Sequence, residues 1–248
     1  MAYTGEFSFL QLDLNADFPK LDYFFYLVGK MQIWKLGNYQ YLFYGSMLKD
    51  WISNLQGSIL DAGCGTGSLQ LSGNVGIDIC KRNIQVFTRV GGEGVLASVT
   101  HLPFKDDAFE NAITVDVLEH VENKKLAIAE LGRVVKGDLI GSTTNLLNPY
   151  MMLDVLLPKA VISKLIPIIG QGQYKRHLRL TTSQLTKALA TAGFTTELTC
   201  LSFPPFQPWL YKDGKNKLPW YAYTWIVTNK LISTIKITRD TLLFKATK

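Results

Sequence analysis

Short apolar runs alternate with amphipathic stretches through the middle of the chain, from residue 57 to residue 147. Apolar runs of about four to eight residues between glycines and polar residues are typical of buried strands, whereas apolar positions spaced by three and four indicate helices. Strands that alternate with helices predict an α/β fold, in which a mostly parallel Rossmann-like sheet carries helices on both faces. The predicted strands of this part are 57–63, 74–79, 94–99, 110–117 and 138–144.

Two helices stand out in the second half of the chain. The first is predicted over 123–135, and the second over 181–194. In the second helix Thr181 or Thr182 is the expected N-cap and Gly193 the expected stop, because hydroxyl side chains favour helix starts and glycine favours helix ends. The apolar face predicted for the first helix contains Leu126, Ile128, Leu131 and Val134.

The rest of the chain completes the sheet and adds material around it. Residues 195–203 and 239–247 are predicted strands, which makes the sheet seven-stranded. An aromatic-rich N-terminal segment, 1–56, is expected to form a helical cap that includes a helix at 40–54. The predicted main domain therefore covers 57–248. Its expected acceptor-side insertions are 148–175 and 204–237.

The charge of the chain is concentrated near its C-terminus. The net charge is +6, and residues 212–248 carry eight basic and two acidic side chains, which accounts for all of it. Residues 1–211 are balanced, with 18 of each sign. Basic stripes are expected of nucleic-acid-binding domains, so the neutral body argues against nucleic acid as a partner. The basic segment is instead a candidate for peripheral contact with a membrane surface.

The three cysteines are scattered and show neither a disulfide framework nor metal-ligand spacing. We therefore expect a reduced, cytoplasmic setting. No apolar run reaches the roughly 18 residues that a membrane-spanning helix needs.

A glycine-rich loop follows the first predicted strand. Gly63, Gly65 and Gly67 alternate directly after Asp61, and glycine there lets the backbone turn tightly and approach a ligand. Asp78 ends the next strand, where an acidic side chain can bind the two hydroxyls of a ribose. The loop alone also fits a dinucleotide site of a dehydrogenase, in which the acidic residue follows about 20 residues later. Here the interval is shorter, so the first crossover is expected to be small.

Four ordered motifs extend this pattern, and with them the chain resembles a class I S-adenosylmethionine-dependent methyltransferase of the methyltransferase-11 type. They are ILDAGCGTG at 59–67, GIDIC at 76–80, HLPFKDDAFENAITVDVLEHVEN at 101–123 and ELGRVVKGDLIGSTTN at 130–145. A dehydrogenase explains the first motif but not the third.

The resemblance implies S-adenosylmethionine as cofactor and a role for each matching residue. The loop implied around its methionine moiety contains Asp61, Gly63, Cys64, Gly65 and Gly67. Asp78 is implied at the ribose and Ile79 against the adenine. Ser98 replaces an aspartate usual in the family near the adenine amino group, and Val99 contributes its backbone N–H.

The end of the fourth strand is implied beside the reacting methyl group. Val115 and Asp116 lie there, and His120 is the leading candidate for a general base. Asp116, Glu119 and His120 also have the spacing of a metal site attributed to some quinone methyltransferases, but we expect no metal. We expect structural roles for Asp107, Phe109, Glu130 and Arg133. His101 and His177 are weaker candidates for the site, and the resemblance implies a position facing the acceptor for His177.

The acceptor is expected to be a small hydrophobic molecule, such as a quinone, lipid, isoprenoid or aromatic metabolite. The two insertions are rich in aromatic and aliphatic residues, which line pockets for apolar ligands. The alternative is a non-catalytic module of the same fold that binds a membrane or a protein partner through its basic C-terminal segment.

Overall fold

A computed structural model describes residues 47–67, 69, 74–149, 152, 156, 179–201, 235–239 and 241–248, all within one compact unit. Predictions about the N-terminal cap before residue 47, about His177 and about most of the insertions 148–175 and 204–237 lie outside these residues. No helix within the described ranges is long and apolar enough to cross a membrane.

The predicted seven-stranded sheet is confirmed, with the order β3-β2-β1-β4-β5-β7-β6. The first five strands run parallel, and β7 is antiparallel to both β5 and β6. The carboxyl ends of β1, β2, β3 and β4 therefore meet at one edge of the sheet. The strands are β1 (Ile59–Ala62), β2 (Val75–Asp78), β3 (Glu93–Leu96), β4 (Asn111–Val115), β5 (Asp138–Thr144), β6 (Thr195–Leu201) and β7 (Thr241–Thr247).

Both faces of the sheet are covered. Successive side chains of a strand point to opposite faces, and in β4 Ala112 belongs to one apolar cluster whereas Ile113 belongs to the other. Residues 47–53 are helical and pack in the second cluster through Leu48 and Ile52. The helices with complete bounds are α1 (Lys81–Arg89), α2 (Lys124–Val134) and α3 (Thr182–Thr191).

Helix α2 forms where the pattern predicts it, but one residue of its predicted apolar face is wrong. Leu126 is 37% exposed, whereas Ala127, Ile128 and Leu131 are fully buried. At 100° per residue Leu126 lies about 200° from Ile128, which places it on the far side of the helix. Gly132 also lies on the buried face of α2. Glycine is needed there, because a Cβ would lie 2.8 Å from the backbone oxygen of Ala192.

The ends of α3 follow the predicted caps. Thr181 accepts from the backbone N–H of Gln184, whose side chain accepts from the Thr181 N–H, so the two form a capping box. Gly193 follows the helix with a φ of +91°. Local residue chemistry is therefore sufficient to determine both ends of this helix.

The structural role expected of Glu130 and Arg133 is confirmed. Arg133 donates from Nε and Nη2 to the two carboxylate oxygens of Glu130, at 2.8 and 2.9 Å, and from Nη1 to Asp106 at 2.8 Å. It also donates to the backbone oxygens of Leu102 and Phe104. The Arg133 hydrogen bonds hold the pKa of Glu130 below its usual value. The pair thus fixes the segment between β3 and β4 onto α2.

Candidate functional site

The glycine loop crosses the carboxyl edge of the sheet directly after β1. The N–H groups of Gly63 and Cys64 both donate to the backbone oxygen of Ile77, at 2.8 and 2.9 Å, which ties the loop to β2. Gly63 has a φ of +89°, and a Cβ at this position would overlap the side chain of Val117. Gly63 is therefore required by the fold itself.

Gly65 differs from Gly63, because its Cβ position is not crowded by any of the described residues. Its φ is +53°, and no atom of the described residues lies within 4 Å of where its Cβ would be. Its N–H donates to the carboxylate of Asp78 at 3.1 Å. Gly67, in contrast, packs toward Val90 and Phe87 of the α1 region. Of the three predicted glycines, Gly65 is the one that leaves room for a ligand at the loop.

Asp78 is the hydrogen-bonding centre of this edge. Its Oδ1 accepts from the N–H of Cys80 at 2.7 Å, and its Oδ2 accepts from the N–H of Gly65 and from Asn83 Nδ2, each at 3.1 Å. The next residue, Ile79, is 77% exposed although it is a large aliphatic side chain. An acidic group beside exposed apolar surface fits the ribose and adenine positions predicted for these two residues.

Ser98 and Val99 follow β3 and lie beside this centre in the sheet. Leu96 pairs with Asp78, and the N–H of Ala97 donates to the Asp78 backbone oxygen at 3.2 Å. The Val99 side chain is buried, and a cofactor contact of its backbone N–H stays a prediction. The Ser98 hydroxyl is 2.8 Å from the hydroxyl of Thr100. An adenine contact of Ser98 stays a prediction.

Asp61 brings an unusual charge to the site. It lies at the carboxyl half of β1 and is only 4% exposed. Burial, and then the nearby charge of Asp78, raise the pKa of Asp61 to about 7. A buried carboxyl of this kind is stabilised in its ionised form by a cation, and the ammonium group of a methionine moiety is one.

Cys64 is also part of the loop, but it has no nucleophilic character. Its side chain is buried, and burial together with the charges of Asp61 and Asp78 raises the pKa of its thiol to about 12. Only a thiolate is an effective nucleophile, so the thiol acts as a small packing group.

The residues predicted beside the reacting group lie at the end of β4. Asp116 follows Val115 in the left-handed region, with a φ of +57°. Its N–H donates to Ser142 Oγ at 3.1 Å, and that hydroxyl donates to Asp116 Oδ1 at 2.9 Å. A non-glycine residue in this conformation persists when its surroundings hold it, and Ser142 does so from β5. The serine was not predicted, and its register opposite Val115 becomes visible only in the sheet.

Glu119 and His120 share one short turn but point to different environments. They belong to the 3₁₀ helix Leu118–His120, in which Glu119 is buried and His120 is exposed. Glu119 accepts from Thr143 Oγ1 at 3.1 Å, and burial, followed by the charge of Asp116, raises its pKa to about 8. Across the described residues, no group of three potential ligands converges to hold a metal ion. The alternative metal site at Asp116, Glu119 and His120 therefore finds no support.

Comparison with known proteins identifies the domain that carries this edge. Residues 60–138 match the methyltransferase-11 family model, described as a methyltransferase domain. An 85-residue stretch is 41% identical to a tRNA (carboxymethyluridine(34)-5-O)-methyltransferase of Arabidopsis thaliana, covering 32% of this chain and 21% of that protein. A 101-residue stretch is 34% identical to the O-methyltransferase cnsE of Penicillium expansum, covering 34% of this chain and 37% of that protein. The chain thus matches well under half the length of either relative.

Among solved structures, the fold resembles a SAM-dependent methyltransferase of Thermotoga maritima, described as a possible histamine N-methyltransferase. The TM-score is 0.57 at 18% identity, and the match covers 93% of this chain and 96% of the other. At this identity the likeness establishes the fold alone. Residues 60–138 thus match a methyltransferase domain of the methyltransferase-11 family, within a fold that resembles a known SAM-dependent methyltransferase.

Proposed function

We propose that this protein transfers a methyl group from S-adenosylmethionine to a small, hydrophobic acceptor. The observation that carries the proposal is the convergence of Asp61, Gly65 and Asp78 at one edge of the sheet. It combines a buried carboxyl with a raised pKa, a loop position that no described residue crowds, and a carboxylate linked to that loop.

Each of these features fits one part of the cofactor. The buried Asp61 carboxyl would face the ammonium group, and the open side of Gly65 leaves space for the methionine backbone. Asp78 would accept from the ribose, and exposed Ile79 would cover the adenine. The sulfonium of the cofactor supplies an already activated methyl group. The task of the protein residues is therefore to hold the acceptor atom in line with that group.

At the reacting end we assign His120 and Asp116. His120 is exposed on the turn that follows β4, where an acceptor could approach it. If the acceptor atom carries a proton, His120 would remove it as a general base. Asp116, fixed by Ser142, would orient the acceptor or the imidazole.

The acceptor class rests on the sequence and on the charge of the described core. The aromatic and aliphatic residues of 148–175 and 204–237 suit an apolar ligand. Several basic side chains of the core are in ion pairs rather than in a stripe, including Lys136 with Glu110 and Lys245 with Asp138, each at 2.9 Å. Because several relatives are named as tRNA methyltransferases or probable tRNA methyltransferases, the test includes tRNA as an acceptor.

Two measurements test the proposal in sequence. Calorimetry with S-adenosylhomocysteine should show micromolar or tighter binding to the wild-type protein, and no binding at millimolar ligand would contradict methyl transfer. The protein is then incubated with S-adenosylmethionine carrying a tritiated methyl group, together with a lipid extract or with total tRNA. Label that partitions into organic solvent supports a hydrophobic acceptor, whereas label precipitated with the tRNA contradicts it.

A contact with a membrane surface is a second property favoured by a specific observation. Ile235 and Ile237 are 59% and 51% exposed, on either side of exposed Lys236. Exposed aliphatic residues beside a basic side chain suit an anionic membrane interface, where each lysine contributes about 1 kcal/mol. We expect co-sedimentation with vesicles containing phosphatidylserine, reduced several-fold by the triple change Ile235→Ser, Lys236→Ser and Ile237→Ser. Equal sedimentation of the two proteins would exclude this segment as the contact.

A further inference from the structure

Asn83 lies in the first turn of α1 and contacts the carboxylate assigned to the ribose. Its Nδ2 donates to Asp78 Oδ2 at 3.1 Å, and its side chain is half-buried. A carboxylate only accepts hydrogen bonds, so the amide must present its NH₂ group to Asp78. No motif of the sequence singles this residue out.

The hydrogen bonds of Asp78 determine which acceptor sites remain for a ligand. A carboxylate offers about two lone-pair sites on each oxygen. At Oδ2 both are used, by Gly65 N–H and by Asn83 Nδ2, while Oδ1 is used once, by the N–H of Cys80. One acceptor site is therefore left on Oδ1. Its direction depends on the rotation of the carboxylate plane.

Asn83 is the side-chain partner among these three donors. Gly65 and Cys80 donate from the backbone, so their positions follow the loop and the helix start. The carboxylate can rotate about its Cβ–Cγ bond, because the torsion of such a terminal group is soft. The Asn83 hydrogen bond adds a constraint on this rotation to those of the two backbone donors. Asn83 thus limits the rotation that would turn the open Oδ1 site away from a sugar.

We propose that Asn83 is a positioning residue of the cofactor site: it holds the Asp78 carboxylate so that its remaining acceptor site meets a ribose hydroxyl. This inference rests on the proposed function, since it assumes that the ligand at Asp78 is the ribose of S-adenosylmethionine. Asn83 acts through Asp78 and selects for a hydroxylated sugar.

The test measures S-adenosylhomocysteine binding by calorimetry for wild type, Asn83→Ala, Asp78→Ala and the double variant. Asn83→Ala removes one hydrogen bond to the charged Asp78 carboxylate. We therefore expect it to bind S-adenosylhomocysteine about tenfold more weakly than wild type does. In the Asp78→Ala background the same change should have no further effect, because the residue through which it acts is absent. Gln85→Ala is the matched control, since Gln85 is an exposed amide on the same helix.

A second ligand and a second variant separate positioning from a merely structural role. Wild type should prefer S-adenosylhomocysteine over its 2′-deoxyribose analogue, and Asn83→Ala should reduce that preference. Asn83→Asp keeps the shape but places a carboxylate against Asp78, so its binding should be weaker than that of Asn83→Ala. Melting temperatures of all variants check that they are folded.

The outcomes distinguish this inference from the function on which it rests. Failure of wild type to bind S-adenosylhomocysteine overturns both. Binding by wild type, with Asn83→Ala within about twofold of it or with losses that add to those of Asp78→Ala, overturns the role of Asn83 alone.

Discussion

Replacement of Gly65 by arginine is expected to abolish S-adenosylhomocysteine binding while leaving the protein folded. No described atom lies within 4 Å of the Cβ that a substitution adds, so the described part of the domain can accept a side chain there. That space is where we place the methionine end of the cofactor. The φ of +53° adds about 1–2 kcal/mol of strain for a residue with a Cβ. We expect affinity to fall by about a hundredfold or more, measured by calorimetry.

Gly91→Arg is the matched control for this variant. Gly91 also has a positive φ, +98°, and also has no described atom within 4 Å of its Cβ position, but it belongs to the turn between α1 and β3. Both variants should therefore melt within a few degrees of each other, and only Gly65→Arg should lose binding. Unchanged affinity in Gly65→Arg would show that the open side of the loop is not the cofactor site.

S-adenosylhomocysteine should bind more tightly as the pH rises from about 5.5 to about 7.5, and Asp61→Asn should remove this dependence. Burial and Asp78 raise the pKa of Asp61 to about 7, so the free protein is mostly protonated at pH 5.5. An ammonium group prefers the ionised carboxylate, so below pH 7 binding must first release a proton. The affinity of wild type should therefore fall by up to about tenfold per pH unit below 7. A flat wild-type profile would contradict a contact between Asp61 and the ammonium group.

The same carboxyl makes an independent prediction for the stability of the ligand-free protein. Its folded pKa lies above the ordinary value of 3.8, so the native state binds more protons than the unfolded state between about pH 4 and pH 7. Stability is therefore lost as the pH rises through this window, by about 4 kcal/mol at most for the full shift. Glu119, with a pKa raised to about 8, acts in the same direction. The difference in urea unfolding between wild type and Asp61→Asn isolates the contribution of Asp61.

Gly63 and Gly65 have different roles, and this difference is visible in the structure but not in the sequence. In the sequence the two are equivalent members of one alternating triplet. In the structure Gly63 is required by Val117, whereas none of the described residues crowds the Cβ position of Gly65. The difference arises because Val117 follows β4, which lies beside β1 in the sheet but is about 50 residues away in the chain. The glycine pattern in the sequence therefore gives no information about the contact between Gly63 and Val117.

The sequence by itself determined the seven strands, the caps of α3 and the order of the motifs, because each depends on residues a few positions apart. It misassigned Leu126, where a leucine was available but the helix faced the core through Ala127. Only the tertiary structure decided that Asp61 is buried near Asp78, that Asn83 holds Asp78, and that Ser142 fixes Asp116. These features are set by desolvation and by hydrogen bonds between separate elements, which arise only when parallel strands bring their carboxyl ends together.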